Sequence, residues 1–206
     1  LKLLNTINFD LDEIGTPLSF KWGKCKLATT SYGHGITTTP LQLARAYAIL
    51  GNGGFEIQPY IFKKKKLEER KQIISSQTSE EINSMLRKVV SLNEGTANFA
   101  DIEGYEVGGK TGTSIKYNSK EKLNTFVSLF PSSKPKYLLL VMLDEPKSAP
   151  NFVYHFRPSD KFPNGYEYKG ETRNTSGWNT VVVAGKIIEK IGPILAINTL
   201  QASNKF

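Results

Sequence analysis

Three stretches in the second half of the chain decide its fold: Tyr105-Glu-Val-Gly-Gly-Lys-Thr-Gly-Thr-Ser114, Phe126-Val-Ser-Leu-Phe130 and Tyr137-Leu-Leu-Leu-Val-Met-Leu143. Each has the composition of a strand, and short polar turns separate them. Successive strands joined by short turns predict an antiparallel meander. The last stretch is apolar throughout, so we expect it to be the central strand, covered on both faces.

Three helices are predicted around these strands. The first has Thr39 as its N-cap and Pro40 as its first residue, and it ends at Gly51-Asn-Gly-Gly54. The second starts with the capping box Thr78-Ser-Glu-Glu81, and the third stops at Gly192-Pro193. Their predicted apolar faces are Leu43, Ala44, Tyr47 and Ala48, then Ile82, Met85, Leu86, Val89 and Val90, then Val183, Ala184, Ile187, Ile188 and Ile191.

The remaining segments complete an α+β class, in which helices pack on an antiparallel sheet. Phe55 to Phe62 is expected to form a short edge strand that Pro59 interrupts. Residues 146–178 show no period, which indicates a long excursion near a functional edge. We assign residues 1–197 to one domain portion and residues 198–206 to a frayed tail.

Composition limits the classes of function. The 206 residues are 39% hydrophobic and 22% charged, which is typical of a globular domain. The formal net charge of +8 favours anionic partners. The run Lys63-Lys-Lys-Lys66 lies beside Glu68 and Glu69. A nucleic-acid-binding module is one interpretation of that run, but a solvated edge is the more common one, and we expect no nucleic-acid partner.

Cysteine and histidine are too scarce for several kinds of site. Cys25 is the only cysteine, which rules out an intrachain disulfide or a thiolate metal cluster. His34 and His155 are far apart in the sequence, so a Ser-His-Asp hydrolase or a zinc site is not expected. We also expect no cofactor. We find no membrane span or signal sequence. Because the chain begins at Leu1 in a segment of folded character, we expect a piece of a longer protein.

The segment Gly109-Lys-Thr-Gly-Thr113 carries a chemical mechanism in its spacing. Lys110 provides a fixed cation, and Thr111 and Thr113 provide hydroxyl donors for a substrate carboxylate. Gly112 marks a place where a ligand backbone comes close, and the Thr113 N–H is a donor for a developing oxyanion. Taken alone, the same letters also fit a plain surface hairpin.

The wider sequence resembles the C-terminal part of a transpeptidase domain of the class B penicillin-binding proteins, the FtsI-like peptidoglycan D,D-transpeptidases. The resemblance extends from about Ser31 to Ile197 and implies a serine β-lactamase-like fold, incomplete at its N-terminus. Such enzymes carry S-x-x-K, S-x-N and K-T-G motifs. The matching segments, in order, are Gly33-His-Gly35, Thr39-Pro-Leu-Gln-Leu-Ala-Arg-Ala-Tyr47, Gly51-Asn-Gly-Gly54, Glu94-Gly-Thr-Ala97 and Gly109-Lys-Thr-Gly-Thr113.

Two of the three motifs do not match in place. Ser119-Lys-Glu-Lys122 spells S-x-x-K but follows the K-T-G segment in a charged turn. Ser91-Leu-Asn93 spells S-x-N at the expected end of a helix, too near Lys110. We therefore expect the nucleophilic serine and the S-x-N motif upstream of Leu1, and the fragment alone to be inactive.

The resemblance implies a serine acyl transfer that cross-links stem peptides, with β-lactams acylating the same serine. It makes Lys110 and Thr113 catalytic and Thr111, Gly112 and Thr113 substrate-binding. Implied partners are cell-division membrane proteins, including a glycosyltransferase. The implied location is the periplasmic face of the inner membrane, through an N-terminal anchor. The alternative is a non-catalytic penicillin-sensing or divisome scaffold relative.

Several conspicuous residues have simpler interpretations. His34, between two glycines, fits a turn, and Cys25 fits an ordinary thiol. Asp144-Glu145 fits a strand end rather than a carboxylate site. Five aromatic residues of the excursion fit packing on the domain more readily than a binding groove: Tyr154, Phe156, Phe162, Tyr166 and Tyr168.

Overall fold

A computed structural model describes residues 1–7, 9–11, 14–62, 70–169 and 173–203, without the side chains of residues 200–203. The lysine run 63–66 lies outside the described residues. The chain divides into two compact units, Leu1–Glu81 and Ile82–Phe206. Each unit is described below by itself. The assignment of residues 1–197 to one domain portion stays a prediction.

The first unit contains helices α1 (Lys26–Thr30) and α2 (Pro40–Gly51). Thr39 and Gln42 form a complete capping box at the start of α2, which confirms its predicted beginning. Its buried face differs from the prediction: it is Gln42, Arg45, Ala46 and Ile49, while Leu43, Ala44, Tyr47 and Ala48 are half-buried. The two polar side chains can be buried because Gln42 Nε2 donates to Asn5 O (2.6 Å) and Arg45 Nη2 donates to Lys2 O (2.9 Å).

The strand predicted from Phe55 to Phe62 is absent, although all of these residues are described. Phe55 makes an isolated antiparallel bridge with Gln72 and the ladder goes no further. Pro59 has no N–H to give to a ladder, which is consistent with the irregular course of this segment.

Helix α3 (Ser76–Ser91) begins two residues before the predicted capping box. Ser75 Oγ accepts a hydrogen bond from the Thr78 N–H (3.1 Å) at its start. Met85, predicted to face the core, is 62% exposed, whereas Ser79 is buried. Ser79 is satisfied there because its Oγ donates to Leu50 O and accepts from the Gly53 N–H (3.0 Å). Apolar periodicity does not identify a buried serine of this kind, because it marks only apolar residues.

The sheet of the second unit is the predicted antiparallel meander. Its strands are β1 (Gly108–Ile115), β2 (Lys122–Phe130) and β3 (Tyr137–Asp144), in the order β1-β2-β3. The prediction that the last, wholly apolar strand is central is wrong, because β2 lies in the middle. The expected cover on both faces is also incomplete, because Val141 is the one buried residue of β3. The lateral position of a strand follows from the order of the hairpins and not from its apolar composition.

One face of this sheet packs on helix α4 (Thr180–Ser203). Phe126 of β2 is fully buried at its centre, beside Val141 of β3 and Val181, Ala184 and Ile188 of α4. Two residues of the predicted α4 face are exposed, namely Val183 and Ile191. The buried face of α4 is rotated about the helix axis from the predicted one. It includes Gly185, where an added Cβ would meet Phe99 O at 2.5 Å.

Helix α4 also continues past its predicted stop, with Pro193 inside it. Proline lacks the N–H of a helical hydrogen bond, but tertiary contacts stabilise the helix beyond it. Leu195 packs against the core, and the Tyr137 hydroxyl contacts Leu195 O (3.2 Å) and Thr199 Oγ1 (2.8 Å). Helix α4 extends as far as Ser203, and residues 204–206 lie outside the described residues. The assignment of residues 198–206 to a frayed tail stays a prediction.

The excursion over residues 146–178 is more ordered than predicted. It forms a hairpin of β4 (Val153–Phe156) and β5 (Tyr166–Lys169), followed by a 3-10 helix at Ser176–Trp178. Aromatic rings, rather than a repeating apolar pattern, hold the hairpin to the domain: Tyr154 packs edge-on against Trp178 with centroids 4.9 Å apart, and Phe99 lies 4.8 Å from Phe156.

Candidate active site

Strand β1 changes from buried to mostly exposed after its second residue. Gly108 and Gly109 are buried, whereas Lys110, Gly112 and Thr113 are exposed. At Gly109 an added Cβ would lie 2.6 Å from Phe126 Cζ, so a glycine is needed for the ring to pack over the strand. At Gly112 the nearest atom is Thr125 O, 3.9 Å away, and that face is open. The K-T-G segment is thus the part of β1 that lies outside the hydrophobic core.

The register of the sheet fixes which backbone groups of β1 face outward. Glu145 N–H donates to Lys122 O (2.9 Å), so the even-numbered residues of β2 bond to β3. Residues in an antiparallel ladder alternate sides, and the odd-numbered residues of β2 therefore bond to their partners in β1, including Lys110 and Gly112. It follows that the N–H and C=O groups of Thr111 and Thr113 point away from β2.

These outward groups lie on an unpaired edge. Within the described residues no further strand pairs with β1. Unpaired strand edges are templates for an extended peptide, which adds as another strand through main-chain hydrogen bonds. The edge therefore offers two N–H donors, from Thr111 and Thr113, to a peptide or to an oxyanion.

The hydroxyl groups of the two threonines share the α4 side of the sheet, where other segments hold them. Thr111 Oγ1 lies 3.0 Å from Thr96 Oγ1, in the loop after α3. Thr113 Oγ1 accepts a hydrogen bond from the Ser176 N–H at 3.0 Å. Both hydroxyls therefore have fixed positions beside the free edge.

Lys110 belongs to the other face of β1, by strand alternation. Its side chain is exposed, and its Nζ donates to the carbonyl oxygen of Thr111 at 2.8 Å. The ammonium group thus lies at the same edge as the two outward N–H groups. A cation and two oriented N–H donors at one edge suit an anionic or carbonyl-bearing ligand.

The two displaced motif matches have structural explanations, as expected. Ser119 lies in the turn between β1 and β2, where its Oγ accepts from the Glu121 N–H (2.9 Å). Lys122 points its Nζ to Asn174 O (2.9 Å), not to Ser119. Ser91 is the last residue of α3.

Two other predicted interpretations hold. His34 N–H bonds to Thr29 O (2.9 Å) between glycines with φ of +87° and +78°, which is a turn. Asp144 is the last residue of β3 and Glu145 follows it, and both bind Lys116 Nζ, at 2.6 and 2.8 Å. The two carboxylates hold the end of the first hairpin rather than a ligand.

A cavity of about 510 Å³ lies beside the hairpin of β4 and β5. Tyr154, Phe156 and Tyr168 pack against Phe99 or Trp178, as predicted. Phe162 and Tyr166 also pack on each other, with centroids 4.5 Å apart, yet they stay 38% and 39% exposed and line this cavity.

Asp101 is the most constrained acid of this cavity. Arg87 Nη1 bonds to its Oδ1 (2.7 Å) and Arg157 Nη1 to its Oδ2 (2.6 Å). Desolvation works to raise the pKa of Asp101, but the hydrogen bonds and charges of the two arginines outweigh it and hold the pKa below its ordinary value. Arg87 also donates to Val107 O (2.8 Å), so this ion network ties α3 to the start of β1.

Sequence reasoning missed the residues that support the site. Ser176 and Asn174 lie in the excursion, where no periodic signal marked them. Thr96 lies within the Glu94-Gly-Thr-Ala97 segment that resembled the family, which was the one available signal. Main-chain and amide contacts at long sequence separation leave no pattern in a single sequence.

The fold and the edge strand define an α+β domain whose sheet presents a K-T-G segment at an open edge. The chain matches the family model of the penicillin binding protein transpeptidase domain over residues 5–155. It therefore belongs to the penicillin-binding protein transpeptidase family, which confirms the resemblance and the fold class.

Individual relatives agree. The chain is 33% identical to the probable peptidoglycan D,D-transpeptidase FtsI of Caulobacter vibrioides, over 96% of this chain and 33% of that protein. It is 36% identical to stage V sporulation protein D of Bacillus subtilis, over 69% of this chain and 25% of that protein. The chain thus spans a third or less of the length of these curated relatives.

Solved structures show the same fold. The transpeptidase domain of penicillin-binding protein 3 from Burkholderia pseudomallei has a TM-score of 0.62 at 32% identity, over 68% of this chain and 45% of that one. The transpeptidase domain of FtsI4 D,D-transpeptidase from Legionella pneumophila has a TM-score of 0.61 at 27% identity, over 84% of this chain and 55% of that one.

Proposed function

We propose that this chain supplies one wall of the active site of a peptidoglycan D,D-transpeptidase. The observation that carries the proposal is the exposed part of β1, where Lys110 Nζ, the outward N–H groups and the two threonine hydroxyls lie at an unpaired edge. Relatives whose names state this activity support the substrate class.

In the proposed reaction, a serine outside this chain attacks the carbonyl of a D-Ala-D-Ala stem peptide. The bond to the terminal D-Ala breaks, and an amine of a neighbouring stem peptide then takes the acyl group and releases the serine. Covalent catalysis of this kind splits one difficult step into two. β-Lactams would acylate the same serine.

Each residue of the edge has a role in this proposal. Thr111 and Thr113 donate hydroxyl hydrogen bonds to the substrate carboxylate, and Lys110 adds positive potential and orders the groups around the serine. The Thr113 N–H forms part of the oxyanion hole, where losing one donor typically raises the barrier by about 2.7–4 kcal/mol. Gly112 leaves the space through which the substrate backbone approaches.

The test is labelling of the longer protein, complete with its serine motif, by a fluorescent penicillin. Lys110→Ala is expected to abolish labelling, whereas Lys134→Ala, an exposed lysine in the turn between β2 and β3, should label normally. Undiminished acylation of Lys110→Ala would reject the assigned role. The 206-residue chain alone should remain unlabelled, and a stoichiometric adduct on it would place the nucleophile within this chain.

The setting of the reaction is also a proposal. We infer a role in cell division beside membrane partners that include a glycosyltransferase, at the periplasmic face of the inner membrane. Its support is the class B resemblance. None of the helices in the described part of the chain has the length and apolar character that crossing a bilayer requires. Depletion of the protein should give filamentous cells with uncompleted septa, and a loss of rod shape would instead indicate elongation.

A further inference from the structure

The segment that precedes α4 places a main-chain donor against the proposed substrate-binding strand. Ser176 is 1% exposed and begins the 3-10 helix Ser176–Trp178. Its N–H donates to Thr113 Oγ1 across 3.0 Å, although the two residues are 63 positions apart in sequence. This contact joins the excursion to β1 at the residue assigned both to the carboxylate and to the oxyanion hole.

The direction of this hydrogen bond matters chemically. A threonine hydroxyl has one proton to donate and two lone pairs to accept. The Ser176 N–H occupies one lone pair of Thr113 Oγ1, and within the described residues the Thr113 O–H has no hydrogen-bond acceptor. The hydroxyl is therefore held as an acceptor on its buried side, with its proton left to donate at the exposed edge. A substrate carboxylate requires a donor of this kind.

The donor is itself held firmly in place. Ser176 Oγ donates to Thr125 O of β2 (2.7 Å) and lies 2.7 Å from Thr180 Oγ1 at the start of α4. Two residues earlier, Asn174 accepts from Asn124 Nδ2 (2.9 Å) and donates to Pro146 O (2.6 Å). Asn124 is the cross-strand partner of Thr113. The segment that carries the Ser176 N–H is therefore attached to β2 directly opposite the residue that accepts its hydrogen bond.

We propose that the Ser176 backbone N–H is a positioning group that orients the Thr113 hydroxyl for donation to the substrate carboxylate, with Asn174 as the anchor of its segment. The proposal rests on the function proposed above for Thr113. Ser176 contacts no reacting atom, and its effect passes through Thr113.

Ser176→Pro in the longer, penicillin-labelled protein removes this N–H. The backbone angles suit proline, because Ser176 is the first residue of a helix and Thr175 before it is extended, with φ −133° and ψ 161°. The proline Cδ replaces the hydrogen that points at Thr113 Oγ1, so the substitution also pushes that hydroxyl out of its position. Ser176→Ala is the matched reference, since it loses the same Oγ contacts but keeps the N–H. Relative to Ser176→Ala, the proline variant should need about 3- to 10-fold more carboxylate-bearing β-lactam for half-maximal acylation rate, with a smaller change in the maximal rate.

A double-mutant cycle separates positioning from simple structural damage. In a Thr113→Ala background, which has neither a hydroxyl to orient nor a γ atom for the proline Cδ to meet, Ser176→Pro and Ser176→Ala should acylate equally. An equal deficit of the proline variant with and without the Thr113 hydroxyl would overturn the proposal, and so would a proline variant that matches Ser176→Ala throughout.

If the proposed function fails, the result differs, because Thr113→Ala alone would then acylate like the unaltered protein. If Ser176→Pro does not fold, Asn174→Ala replaces it in the same cycle, with the unaltered protein as its reference. A loss of acylation of about 2- to 5-fold that disappears in the Thr113→Ala background supports the proposal. A deficit that persists there contradicts it.

Discussion

Two adjacent strands of one sheet, β1 and β2, differ sharply in what they do. Six of nine residues of β2 are buried, whereas in β1 only the first two of eight are. Strand β2 bonds on both sides and carries Phe126 into the core, but β1 has a free edge and exposes its K-T-G segment. Strand β2 forms part of the core, and β1, which rests on it, exposes polar groups at a free edge where we propose that a ligand binds.

The largest effect that should separate the two strands is on stability. Phe126→Ala is expected to lower the free energy of unfolding by about 3–5 kcal/mol, because it empties a fully buried position between β3 and α4. Lys110→Ala on the neighbouring strand should stay within about 0.5 kcal/mol while it loses penicillin labelling. Urea unfolding of the longer protein measures both. Comparable destabilisation by the two substitutions would show that β1 and β2 do not differ in their contribution to stability.

The buried start and the exposed remainder of β1 can be compared with the same substitution, glycine to alanine. Gly109→Ala should cost about 1–3 kcal/mol, because the new Cβ would overlap the Phe126 ring and Val127 O, both 2.6 Å away. Gly112→Ala meets only Thr125 O at 3.9 Å and should change stability by less than about 0.5 kcal/mol. Thermal unfolding distinguishes them. The Gly112 variant should instead acylate more slowly, and normal acylation would show that no ligand approaches there.

The smallest effect concerns the ion network that holds the start of β1. The pKa of Asp101 is lower in the folded protein than in the unfolded chain. Its ionised carboxylate therefore adds to the free energy of unfolding above the ordinary carboxyl pKa of about 3.9, and this addition is lost as the pH falls through the lower folded value. Asp101→Asn should cost about 1 kcal/mol at pH 7. That difference should shrink below about pH 4. A difference that is constant from pH 7 to pH 3 would mean that the charge of Asp101 does not matter.

The sequence predicted the elements with strong local signals. The capping box of Thr39, the glycines after α2 and the three strands of the meander were all found, because local backbone preferences determine them. The buried faces of the helices were less predictable. Met85 is exposed and Ser79 buried, since tertiary hydrogen bonds let a polar side chain occupy an interior position.

The candidate site divides in the same way. The sequence marked Lys110, Thr111, Gly112 and Thr113 from their letters and the ordered segments around them. It could not show that β1 is an edge strand, because strand order depends on the whole fold. Nor could it show that the backbone N–H and C=O groups of the odd-numbered residues point away from β2, because a one-residue change in register would turn the even-numbered groups outward instead. Nor could it connect Ser176 to Thr113, since that contact comes from a main-chain N–H that every residue except proline possesses.

By itself, then, the sequence determined the α+β class, the three-stranded meander and the residues that carry the proposed chemistry. Only the tertiary structure decided that β2 is central, that α4 continues through Pro193, and that the aromatic excursion folds into a hairpin with Ser176 beside β1. The physical reason is the range of the interactions. Caps, turns and strand preferences act between near neighbours, whereas register, ring packing and the orientation of a hydroxyl depend on groups that only the complete fold brings together.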